Sequence, residues 1–159
     1  MTNSPIWLPA FVSVNPWTEN HYDHLYSIFT RDFKDSQPTY KGQSVWFFPE
    51  RNGEREDVFW HLTTREDKET GERLPDLRRC ERLTWVKAII ENSNQPEVLE
   101  WDYKEGDGSV KTYLWLKNYD FVVIMKKYRD GGRRLITSFY VEYSHTRKNL
   151  EKKYNKRLN

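Results

Sequence analysis

The chain predicts an α+β fold: N-terminal helices packed on an antiparallel β-sheet, closed by a basic C-terminal helix. Three observations carry this. Apolar residues recur at helical spacing in two stretches of the first 92 residues. A series of short β-branched and aromatic runs begins at Val98. The last two, Phe121–Met125 and Leu135–Tyr143, flank Arg129-Asp130-Gly131-Gly132, a hairpin signal because glycine takes positive φ without a Cβ penalty. Helices first and sheet last, with no repeat or linker, reads as one domain over 1–159.

In order, residues 1–19 mix Ile6, Trp7, Leu8, Val12 and Val14 with three prolines and read as an extended leader docked on the body. Asn20 can cap a helix over 20–34, where Tyr22, Leu25, Tyr26, Ile28, Phe29 and Phe33 recur at three- and four-residue steps. Val45–Phe48 and Val58–Thr63 are too short for helices and are expected as strands. Pro75 suits the first turn of a helix from about Asp76 to Asn92, its buried side traced by Leu77, Cys80, Leu83, Thr84, Val86, Lys87 and Ile90. Strands follow at Val98–Tyr103, Val110–Leu116 and Phe121–Met125, then the hairpin, then a helix from Ser144. Strict alternation in the last strand puts Leu135, Thr137, Phe139, Val141 and Tyr143 on one face, and Arg134, Ile136, Ser138, Tyr140 and Glu142 on the other.

Charged residues make up 31% of the chain and hydrophobic ones 36%, but 7 Trp, 10 Tyr and 8 Phe supply enough apolar area for a core. One cysteine, Cys80, excludes an intrachain disulfide framework and a cysteine-rich zinc site. Without a signal-peptide pattern or a membrane-length apolar run, a soluble cytoplasmic protein is expected. The net charge of +2 conceals an asymmetry. Residues 126–159 carry eleven Lys and Arg against Asp130, Glu142 and Glu151, as a phosphate-binding surface needs and as a solvated basic helix also shows.

No Gly-rich phosphate loop, His-Glu-x-x-His, cysteine pair or Gly-x-Ser-x-Gly is present, so Walker-type hydrolysis, zinc chemistry and serine hydrolysis lack their residues. His21 and His24 lie three apart with no nearby third ligand, so no metal and no cofactor are expected. His61 is the first candidate, because imidazole changes charge near neutral pH and serves as general acid or base. Arg78, Arg79 and Arg82 crowd a helix start where the macrodipole disfavours cations. Oxyanion binding by guanidinium forks explains them, and so does pairing with Asp76, Glu81 or the acidic loop before the helix.

Four segments together resemble the phage-associated nuclease-like proteins grouped with barnase, EndoU, the colicin tRNases and RelE (the BECR fold). They are Phe59–Arg65, Leu74–Arg82, Asp120–Ile124 and Arg134–Tyr140, within a nuclease-like core over 45–156. The resemblance implies helices on one sheet face, an active site on the other, and metal-independent endoribonuclease or toxin activity. RNA, whether tRNA or mRNA, would be the partner, with a cognate inhibitor protein for a toxin and no membrane. Residue by residue it assigns catalytic roles to His61, Arg79 and Thr137. Phe139 stands where the resemblance leads one to expect tyrosine, with Tyr140 beside it. Cleavage by 2′-hydroxyl attack needs a base, an acid and cations for the phosphate. Arg78, Arg82 and Lys126 are the candidate phosphate contacts, and Ser138 and Tyr140 further candidate substrate contacts. The alternative expectation is a catalytically inactive RNA- or protein-binding module on the same fold.

Overall fold

The computed structural model describes residues 4–158. Helix α1 (His21–Phe29) runs into a wider π-turn at Thr30–Lys34, and together they bury Leu25, Ile28, Phe29 and Phe33. Strands β1 (Thr39–Tyr40) and β2 (Gln43–Trp46) follow, then the small ribbon β3 (Arg51–Asn52) and β4 (Arg55–Glu56). Helix α2 (Asp57–Thr63) leads into a second ribbon, β5 (Thr64–Glu66) with β6 (Arg73–Pro75). Helices α3 (Leu77–Glu81) and α4 (Leu83–Glu91) precede β7 (Val98–Lys104), β8 (Val110–Leu116), β9 (Phe121–Lys127) and β10 (Arg133–Tyr140). Helix α5 (Ser144–Asn155) comes last.

The main sheet has six strands in the order β1-β2-β10-β9-β8-β7. On one face Phe121, Val123, Met125 and Leu135 pack with α1, α2, α4 and the leader residues Leu8, Val12 and Val14. On the other, Trp101, Tyr113, Trp115, Val122, Ile124 and Val141 pack with Leu150 of α5. With both faces covered, β9 reads Phe-Val-Val-Ile-Met without a polar break. Among the described residues no helix is long and apolar enough to cross a membrane.

Four expectations need correction. The sheet is mixed rather than antiparallel, because β2 pairs parallel to β10 through Arg133↔Val45 and Arg134↔Trp46. Parallel neighbours require a long crossover, here everything from β3 to β9, and local turn signals cannot announce it. Val58–Thr63 is helix α2, not a strand: Val58, Phe59 and Leu62 are buried together at helical spacing. A six-residue apolar run carries too little period to separate the two.

The expected helix over 76–92 breaks at Arg82 (φ −107°, ψ 14°). The break frees the Glu81 carbonyl, which accepts from Val12 N at 2.8 Å and so ties the leader down. In β10 the register shifts between Leu135 and Thr137, a bulge at Ile136. Leu135 therefore faces the helices while Thr137 and Phe139 share the opposite face with their partners Ile124 and Val122.

Glu56, at the start of α2, is 4% exposed and accepts from Tyr26 Oη and Lys34 Nζ, both at 2.7 Å. Burial alone would raise its carboxyl, but the hydrogen bonds from Lys34 and Tyr26 outweigh it and hold it below the ordinary value. A depressed carboxyl contributes stability that is present above the unfolded value and lost as pH falls through the folded one. Glu56→Gln is thus expected to lower unfolding free energy by about 2 kcal/mol at neutral pH. The gap from wild type should close as urea melts are repeated below about pH 4. A gap that stays constant down to acid pH would exclude this account.

Candidate functional site

The residues that converge do so at the exposed side of β10. A cavity of about 410 Å³ lies between α2, β10, the Phe48–Glu50 segment after β2, and the β5–β6 ribbon. His61 projects into it from the last turn of α2, with Arg79 and Thr137 in the wall. The His61 side chain is 43% exposed, and its Nε2 lies 3.3 Å from Oδ2 of Asp57, one turn earlier on the same helix. That spacing exists only because 57–63 is helical; in a strand the two would stand about 13 Å apart.

What holds His61 there is the capping of α2. The last carbonyls of a helix have no intrahelical partner, and cations at that end offset the macrodipole. Arg79 Nη1 donates to His61 O at 2.8 Å and Thr64 O at 2.7 Å. Arg73 Nη2 donates to Trp60 O and Thr64 O at 3.3 and 2.7 Å. Thr137 Oγ1 donates to His61 O at 3.2 Å, joining β10 to the same carbonyl. Asp76 in turn accepts from Arg79 N and lies 3.3 Å from Arg79 Nε. Burial lowers the Arg79 pKa, with Asp76 opposing and Arg73 and Arg65 adding to the shift. Two of the three residues assigned catalytic roles therefore grip the backbone of the third.

The cavity also holds residues the sequence reading missed. Arg134 lines it, with Nε donating to Tyr128 Oη at 2.9 Å and its guanidinium 3.8 Å from the centre of the Phe48 ring. Among the described residues no hydrogen bond or ion pair engages its Nη atoms. Glu50 and Glu66 contribute carboxylates free of ion pairs to any described residue. The cavity wall thus offers an imidazole, carboxylates and an unsaturated guanidinium. Reading 57–63 as a helix would have exposed the Asp57–His61 pair; for Glu50, Glu66 and Arg134 the linear pattern carries no signal.

The remaining candidates lie elsewhere. Arg78 is exposed on α3, 4.7 Å from the centre of the Tyr140 ring. Arg82 is buried between Phe11 and Tyr140, at 4.6 and 4.7 Å from their ring centres, and donates to Arg78 O. Ser138 is fully buried on the helix side of the sheet, and Tyr140 shares that side, so neither reaches the cavity. Lys126 sits on β9 directly across from Arg134, outside the cavity wall. Phe139 does line the cavity, its ring centre 5.9 Å from the Arg79 guanidinium. Cys80 is no nucleophile: burial pushes its thiol up to about 12, and it donates to Thr63 O.

Among the described residues, no group of three or more His, Cys, Asp and Glu side chains is arranged to hold a metal ion. Comparison with protein-family models, with curated proteins and with solved structures finds no match.

Proposed function

We propose that this chain is a metal-independent endoribonuclease of the toxin-like or phage-associated kind, on a BECR-type fold. The observation that supports it is one cavity containing His61 with Asp57, the carboxylates of Glu50 and Glu66, and the unengaged Nη atoms of Arg134. Transesterification at RNA needs these functions together. A carboxylate or the imidazole takes the proton of a ribose 2′-hydroxyl. The 2′-oxygen attacks the adjacent phosphorus, forming a 2′,3′-cyclic phosphate as the bond to the 5′-oxygen breaks. The protonated partner returns a proton to that 5′-oxygen, and Arg134 stabilises charge on the phosphoryl oxygens. Arg79 and Thr137 act as positioning residues in this scheme, since their donors hold His61 O.

The test is incubation of the purified protein with total tRNA and a mixed RNA in EDTA. Discrete fragments ending in cyclic phosphate are expected from wild type and not from His61→Ala. A folded wild-type protein that leaves both RNAs intact would overturn the reading. It would favour the second one, a catalytically silent RNA-binding module, for which Phe139 in the cavity wall speaks.

A further inference from the structure

The strand register lines up five side chains across the sheet. Tyr103 of β7 stands opposite Lys111 of β8, Lys111 opposite Lys126 of β9, Lys126 opposite Arg134 of β10, and Arg134 opposite Trp46 of β2. All five project away from the helix-covered face, because their neighbours Met125, Leu135 and Val45 point into that core. The row runs beside the cluster covered by α5, and each of its members is partly exposed.

Three cations in direct cross-strand register repel one another, and the ring contacts of Lys126 with Tyr128 and of Arg134 with Phe48 bring no negative charge to offset this. Lys111 and Lys126 make no ion pair with any described residue, whereas Lys127, on the opposite face, pairs with Asp102 at 3.1 Å. Asp107, exposed in the β7–β8 turn and bonded to Ser109, lies near enough for both lysines to help lower its carboxyl. At the β2 end the row meets an aromatic cluster. Trp46 packs on Phe48 and Tyr128, with ring centres 5.5 and 5.3 Å apart. Arg134 and Phe48 also line the His61 cavity, so row and cavity are continuous.

We propose that this row is the track of a single-stranded RNA, laid across the strands and delivering its scissile phosphate to the His61 cavity. The proposal rests on the ribonuclease reading for the identity of the strand. Lys111, Lys126 and Arg134 neutralise successive phosphates, and Trp46 and Tyr103 offer ring faces for unpaired bases. Four interstrand spacings give a track of about 19 Å, which suits a short single-stranded footprint. A duplex presents its bases already stacked and cannot use the rings.

The experiment is fluorescence anisotropy with a labelled 2′-O-methyl oligonucleotide, which binds but cannot be cleaved, titrated at several salt concentrations. Lys111→Ala/Lys126→Ala is expected to weaken binding at least about tenfold and to lower the salt slope by about two. Lys68→Ala/Lys87→Ala, the same charge change away from the row, should do so much less. Trp46→Ala should also weaken binding about tenfold, with little change in slope. Circular dichroism melts confirm that each variant is folded.

Unchanged binding by the folded lysine variant overturns the track even if RNA is cleaved. Equal affinity for a duplex, or for polyglutamate, overturns it as well. Tight, row-dependent binding by a protein that cleaves nothing upholds the track and removes the ribonuclease reading instead.

Discussion

His61→Ala is expected to reduce metal-free RNA cleavage by about 10²–10⁴-fold, the range for losing one general acid or base. Its melting temperature should stay within a few degrees of wild type. The side chain is nearly half exposed and its one polar partner among the described residues is the similarly exposed Asp57, a pairing worth at most about 1 kcal/mol. Arg79→Ala should behave differently although it touches the same residue. Removing that guanidinium strips a donor from the carbonyls of His61 and Thr64 and leaves Asp76 without its cation. A loss of about 3 kcal/mol in stability should accompany the loss of activity. Cleavage assays paired with urea melts separate the two cases. Full activity in folded His61→Ala would remove the imidazole from the chemistry.

Phe59→Ala is expected to cost about 3–5 kcal/mol, the largest stability loss predicted for this chain. Phe59 has no exposed surface, and its ring meets those of Tyr26, Phe29 and Trp60 at centre distances of 5.3, 5.6 and 5.1 Å. The Arg55 guanidinium lies 5.8 Å from its centre. This cluster clamps α2 onto α1, so the substitution removes the support of the helix that carries His61. Phe59→Leu, which keeps most of the volume, should cost under about 2 kcal/mol. A Phe59→Ala midpoint within 1 kcal/mol of wild type would mean that α2 is held mainly by its arginine caps.

Local signals made much of the architecture legible. The strands at Val98, Val110 and Phe121 and the glycine hairpin need only β-branched and aromatic runs and turn chemistry, and each forms where those place it. Features depending on distant residues were not legible. Val58–Thr63 becomes helical because α1 and the sheet bury Val58, Phe59 and Leu62 together. The break at Arg82 opens the Glu81 carbonyl to Val12, a partner far upstream that no local pattern names. The bulge at Ile136 leaves no mark in a run of β-forming residues, yet it sets the face on which Thr137 and Phe139 stand.

The candidate site divides in the same way. His61, Arg79 and Thr137 line one cavity, but the fold engages Arg79 and Thr137 with a backbone carbonyl and leaves Arg134 as the open cation. Side-chain type alone cannot distinguish a guanidinium committed to helix carbonyls from one turned to a ligand.

The docking of the leader also imposes a chronology on assembly. Trp85 donates to Pro9 O across 76 residues, and β2, paired locally with β1, finds its other neighbour in β10, much later in the chain. During synthesis the leader must therefore wait for α4, and β2 must wait for almost the whole sheet. The β7–β10 meander, built from adjacent pairings, can form by itself and offer the edge on which β2 docks. Newly made protein would pass through a stage in which β10 still has an open edge, before β2 arrives to close it.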